Sequence, residues 1–219
     1  FKYLEESPEA ELISVSQNDN KYYCTCENCT KVVEEEGSQA GPIIRFVNRI
    51  AEEVEAAGYD VLVHTFAYTY SAHAPKITKP RHNVMIQYCT LEACISHSLN
   101  AGCNLKGHGA HEDLTAWGDI TDTIYIWDYI ANYSYGNAPV PNLKYSVIAE
   151  NIQFFADNNV KGIYEEGYGG GQVGDNDGNF DRVLAYILCK LMWDPYMSEE
   201  EYDRHIKRYM EGLYGEGWE

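Results

Sequence analysis

Four carboxylates stand where short apolar segments give way to polar loops. Asp19 follows Leu12-Ile-Ser-Val-Ser-Gln17, Asp128 ends Thr123-Ile-Tyr-Ile-Trp-Asp128, and Glu165 and Glu166 end the segment that opens at Val160. Two carboxyl groups facing one bond are what cleavage of a glycosidic linkage requires. One protonates the leaving oxygen, and the other attacks or stabilises the anomeric carbon unless the sugar's own acetamido group is the nucleophile. Neighbouring acids raise one another's pKa, so Glu165 and Glu166 could supply an acid still protonated at neutral pH. Acids at strand ends also cap loops and helix N-termini, a competing role for all four. Asp113, Asp119 and Asp122 are less well placed. His64, Gln87, Tyr68, Tyr70, Trp127 and Tyr129 lie at or just beyond segment ends, where they offer hydrogen bonds to hydroxyls and flat faces for sugar rings. A single buried histidine is more often a satisfied core residue than a catalyst, so His64 carries little weight alone.

A second constellation is Cys24-Thr-Cys26-Glu-Asn-Cys29. Thiolates at this spacing can converge on one metal, and tetrahedral zinc would need a fourth ligand such as Cys94, Cys103, His108 or His111. A disulfide or free thiols fit the same spacing, and all three readings stay open. The carboxylate chemistry requires no cofactor, so structural zinc is the one metal the sequence suggests. Asp175-Asn-Asp177-Gly-Asn179 resembles a calcium loop but has its glycine at the wrong position and no glutamate at the twelfth, and it reads as a turn.

The elements that must position these groups alternate between strand and helix period. Strands are expected at Leu12–Gln17, Val61–Phe66, Asn83–Tyr88, Thr123–Asp128 and Val160–Glu165. Between them, helices are expected from Pro42 to Gly58, around Glu112 to Trp117, and from Val147 to Phe155. Phe180 to Leu191 keeps helical period up to Asp194-Pro195, and Ser198 with Glu201 forms a capping box for a last helix through Met210. Residues 1–6 look like the end of a helix. Strands separated by helices pair in parallel. The fold class is therefore α/β, the C-terminal part of a (β/α)8 barrel with strands four to eight in residues 1–178 and a helical region in 179–219. The first strands are expected upstream of Phe1, or else the sheet is an open one. The unfilled barrel edges make a homodimer an expectation, since open parallel edges seek another chain.

The period of two orients each strand. With Ile13 and Val15 toward the helices, Ser14, Ser16 and Asn18 point into the barrel; by the same rule Tyr125 and Trp127 point in, as do Gly162, Tyr164 and Glu166.

Composition narrows the partners. A chain of 219 residues with 45% hydrophobic and 23% charged content can bury a core. The formal charge of −18 repels phosphate backbones and anionic headgroups, so nucleic acid and membrane surfaces are excluded in favour of a neutral or cationic ligand. No apolar run is long enough to insert in a membrane, and no signal peptide is visible. With 19 Tyr against 6 Phe, many rings carry a hydroxyl that needs a partner.

Taken in series, Ser14-Val-Ser-Gln-Asn-Asp19, Tyr23-Cys-x-Cys-x-x-Cys29, Tyr125-Ile-Trp-Asp-Tyr129, Tyr164-Glu-Glu-Gly167 and Leu184-Ala-Tyr-x-x-x-Lys-Leu-x-Trp-Asp-Pro195 resemble the domain-of-unknown-function family 4838, nearly end to end. Members of that family have been classed with glycoside hydrolase family 163, endo-β-N-acetylglucosaminidases acting on N-glycans. The resemblance implies a barrel with appended helices, a retaining, substrate-assisted mechanism, and a secreted or cell-surface role in gut bacteria. Asn18, Asp19, Trp127, Asp128, Glu165 and Glu166 match its motif positions, and either glutamate could be the acid. A non-catalytic glycan-binding module and a metal-stabilised structural domain are the alternatives.

Overall fold

Alternating apolar residues build five strands, and these lie side by side in chain order, every neighbouring pair parallel. The computed structural model describes residues 1–103, 109–130, 147–167 and 181–218. The strands are β1 (Leu12–Ser14), β2 (Leu62–Ala67), β3 (Val84–Cys89), β4 (Ile124–Tyr129) and β5 (Val160–Glu166). The helices are α1 (Lys2–Glu6), α2 (Glu27–Glu36), α3 (Ala40–Ala56), α4 (Ala110–Gly118), α5 (Ile148–Asp157), α6 (Asp181–Trp193) and α7 (Glu199–Tyr214). A parallel sheet whose spatial order equals its chain order, with helices between every pair of successive strands except β2 and β3, is consistent with the winding of a partial (β/α) barrel.

One face of the sheet is apolar and covered. Val63, Ala67, Val84, Ile86, Ile124 and Ile126 are fully buried under Ile44, Val47 and Ala51 of α3, Leu114 and Trp117 of α4, Ile152 and Phe155 of α5, and Leu184, Ile187 and Leu191 of α6. The C-terminal helix α6 thus shares the core of the sheet. Trp117 meets its polar requirement by donating its indole N–H to the Ala72 carbonyl at 2.8 Å.

Most expected elements appear with their ends shifted by a few residues. β1 is shorter than expected because the chain leaves the sheet after Val15, whose N–H still reaches the His64 carbonyl. Ser198 caps α7 by accepting from the Glu201 N–H at 3.2 Å, while the Glu201 carboxylate turns to Arg204 instead of completing the box. One helix was not expected. α2 follows directly on the cysteine turn and buries little apolar surface, so no stripe announces it. Its last residue, Glu36, is the exception.

Glu36 is buried, and its carboxylate accepts from the N–H groups of Ile77 and Thr78, from the Thr78 hydroxyl, and from Arg45. It ties the α2–α3 junction to the β2–β3 loop. Gly37 follows at φ 67, the left-handed cap that lets the chain turn into α3. Burial works to raise the Glu36 pKa, but the Thr78 and Ile77 donors and Arg45 outweigh it and hold the group at about 2.

A carboxyl depressed in the folded state stabilises the fold above its ordinary pKa, and that stability is lost as pH falls through the folded value. Urea unfolding across acidic pH should therefore show stability draining as the pH drops from about 4.5 toward about 2. Glu36→Gln should lose on the order of 2–3 kcal/mol at neutral pH and depend less on pH in that window.

Candidate functional site

The other face of the sheet carries polar and aromatic side chains. Strand register aligns Ser14 with His64, Phe66 with Gln87, Gln87 with Tyr125, Tyr125 with Gly162, Cys89 with Trp127, Trp127 with Tyr164, and Tyr129 with Glu166. Paired residues of a parallel sheet point the same way. These side chains therefore form one polar and aromatic floor, as the period of two predicted for Ser14, Tyr125, Trp127, Gly162, Tyr164 and Glu166.

At the C-terminal end of the strands this floor opens into a cavity of about 390 Å³ lined by Gln17, Asp19, Phe66, Tyr68, Cys89, Leu91, Trp127, Tyr129 and Glu166. Asp19 and Glu166 approach it from β1 and β5, the two outer strands. The Trp127 indole donates to Glu166 Oε2 at 2.8 Å, and the Tyr68 hydroxyl donates to Asp19 Oδ1 at 3.1 Å. The rings of Phe66, Trp127 and Tyr129 make the wall between, with Trp127 and Tyr129 nearly parallel and Tyr164 edge-on to Trp127.

Local structure holds the rim. The Gln17 carboxamide donates to the Tyr68 carbonyl at 3.1 Å and accepts from the Ser71 hydroxyl, which locks the segment after β1 to the turn at Thr69–Ser71. Within that turn Thr69 sits at φ 48, a conformation a β-branched residue rarely adopts. Burial, and next the Asp19 contact, push the Tyr68 hydroxyl up to about 12, so it stays a donor. Burial and then the charge of Glu166 likewise push the Cys89 thiol up to about 12.

The expected site residues separate into groups. Asp19, Tyr68, Trp127, Tyr129 and Glu166 share the cavity. Tyr125 lies deeper, its ring against Gly162, and Gln87 is its half-buried neighbour. Tyr164 is exposed at the outer edge. His64 is buried below the cavity with Nδ1 2.9 Å from the Ser14 hydroxyl, and burial lowers its pKa. Asn18 lines a neighbouring hollow with Tyr23, Cys24 and Tyr70. Asp128 and Glu165 pair in register on the opposite, helix-covered face, where Asp128 is buried and accepts from the Thr90 hydroxyl. Consecutive residues of one strand cannot share a face, so Glu165 and Glu166 do not act on one another as an acid pair. The carboxylates that meet in the cavity are Asp19 and Glu166. Phe66 and Cys89 were missed, although the alternation that places His64 and Gln87 on the floor places them there too.

Five of the seven cysteines fall into two groups. The sulfurs of Cys24, Cys26 and Cys29 lie within 4.8 Å of one another, and so do the donor atoms of Cys94, His97 and Cys103; both groups could hold a metal ion. Cys94 and Cys103, considered as fourth ligands for the first group, join His97 instead. His108 and the 175–179 turn lie outside the described residues. All seven cysteines are described, and no disulfide joins them. The Cys29 amide, followed by the Cys24 and Cys29 thiols, lowers Cys26 to about 7, whereas the Cys24 and Cys26 thiols raise Cys29 to about 11.

The domain of unknown function 4838 matches residues 1–217, almost the whole chain. The chain belongs to this family. No curated protein and no solved structure matches it. Among the described residues no helix is long and apolar enough to cross a membrane.

Gly162 is a strict requirement of that floor. A Cβ there would stand 2.5 Å from Cε1 of Tyr125. Gly162→Ala should cost about 1–3 kcal/mol in chemical denaturation. Combining it with Tyr125→Ala should cost less than the two single changes added, because the clash partner is gone.

Proposed function

We propose that this protein hydrolyses a glycosidic bond, with the aromatic cavity as its sugar site, Glu166 as general acid and Asp19 as the orienting carboxylate. The observation that carries the reading is the arrival of Asp19 and Glu166, from the two outer strands, in one cavity walled by Phe66, Tyr68, Trp127 and Tyr129. A volume near 390 Å³ is in the range of small-molecule clefts. Aromatic faces stack on the apolar faces of a sugar ring, and the formal charge of −18 favours a neutral glycan over an anionic ligand.

The sugar we propose is an N-acetylated one, cleaved with retention as in N-glycan endo-β-N-acetylglucosaminidases. Glu166 passes its proton to the glycosidic oxygen as the anomeric C–O bond breaks. The carbonyl oxygen of the sugar's acetamido group attacks the anomeric carbon, and Asp19 stabilises the positive charge that grows on the acetamido nitrogen. Water then opens the cyclic intermediate after losing a proton to Glu166, which restores the acid. Trp127 keeps the Glu166 carboxyl in one orientation, and Tyr68 does the same for Asp19. A secreted or cell-surface setting goes with a glycan substrate.

Glu166→Gln should lower turnover on an N-glycan panel by about 10²- to 10⁴-fold while leaving glycan affinity within a fewfold, read by mass spectrometry of products and by calorimetry. Asp19→Asn should act in the same direction. Binding without cleavage by the unmodified protein would make it a glycan-binding module instead. Turnover lost in Glu165→Gln but kept in Glu166→Gln would move the acid to the other face of the sheet and end this assignment.

We also propose a structural zinc at the Cys24-x-Cys26-x-x-Cys29 turn. The turn leads straight into α2, whose only buried residue is Glu36, so apolar burial does little to hold its start. Zinc removal by a chelator should lower the melting temperature and raise the reactivity of these three thiols. Unchanged melting in protein shown by elemental analysis to hold no zinc would exclude it.

A further inference from the structure

The β3–α4 connection brings together three donors that the cavity does not use. Cys94, His97 and Cys103 converge within 4.8 Å, with Cys94 Sγ 3.3 Å from His97 Nδ1. A tetrahedral ion with Zn–S near 2.3 Å and Zn–N near 2.0 Å sets its donors roughly 3.5–3.8 Å apart, so this spacing is close to what one shared ion imposes. Two thiolates and an imidazole suit zinc, and they do not suit calcium or magnesium, which take oxygen ligands.

The N–H groups of Ser96 and His97 point at the Cys94 sulfur, just as those of Asn28 and Cys29 point at Cys26.

We propose that Cys94, His97 and Cys103 bind a zinc ion of their own, separate from the Cys24 turn, and that this ion clamps the loop forming one lip of the cavity. Three protein donors suffice, with water completing the tetrahedron. Before the site, this loop carries Thr90, which holds Asp128, and Leu91, which lines the cavity. Inside the Cys94–Cys103 span, the Leu99 N–H donates to Asn151 Oδ1 of α5 at 2.8 Å. Closing that span through an ion fixes the lip between two anchors, one on β4 and one on α5.

The test uses metal content and thiol protection in the intact protein and requires no activity. The double change Cys94→Ser with Cys103→Ser should remove one equivalent of zinc by elemental analysis. Cys24→Ser with Cys29→Ser should leave that equivalent in place, whatever the first turn binds. Without any substitution, zinc added to metal-free protein should slow alkylation of Cys94 and Cys103 by an order of magnitude or more, mapped by peptide mass spectrometry. His97→Gln should weaken that protection. Zinc content unchanged in the folded Cys94/Cys103 variant, equal alkylation with and without zinc, or a Cys94–Cys103 disulfide in the purified protein would each overturn the proposal.

Discussion

Everything in this molecule follows from the rule that neighbouring residues on a strand face opposite ways. Five parallel strands obey it in register, so each strand gives one set of side chains to the helices and the other to the open floor. The helix side is aliphatic because parallel strands covered by crossover helices must bury that face. The floor is free of that demand and collects serine, histidine, glutamine, tyrosine, tryptophan and glutamate. A slip of one residue in β5 would exchange Glu166 for Glu165 in the cavity and turn Tyr164 toward the helices.

Much of the frame was legible because it depends on this local pattern. β-branched and aromatic runs bounded by polar loops located all five strands, and the stripes of α3, α5 and α6 located the helices that cover them. The inward positions of Tyr125, Trp127, Tyr164 and Glu166 came from the same alternation. Asp128 and Glu165 were drawn into the candidate site by their closeness to strand ends, yet Trp127 pointing in already obliges Asp128 to point out. α2 was hidden because its stability comes from polar contacts made through Glu36 to residues some forty positions away, which no periodicity records.

The second cysteine group was illegible for a related reason. Cys94 and His97 show a familiar spacing, but Cys103 joins them only through the path of the loop, and a lone histidine among polar residues gives no signal. The cavity was half legible: the strands that end at it could be read, whereas Leu91 and the Gln17–Ser71 lock belong to irregular segments whose shape is set by tertiary contacts.

The thiols of this chain span a wide range of acidity, and that range orders how the molecule meets oxidants. At neutral pH a sulfur held at about 7 is roughly half thiolate, as at Cys26 on the surface and Cys94 in its loop, while one pushed to about 12 is almost wholly protonated, as at Cys89 beside Glu166. The sulfurs more open to oxidation are therefore those at the outer turns, and the one in the hollow is less reactive. An ion bound at those turns would withdraw their thiolates from such chemistry.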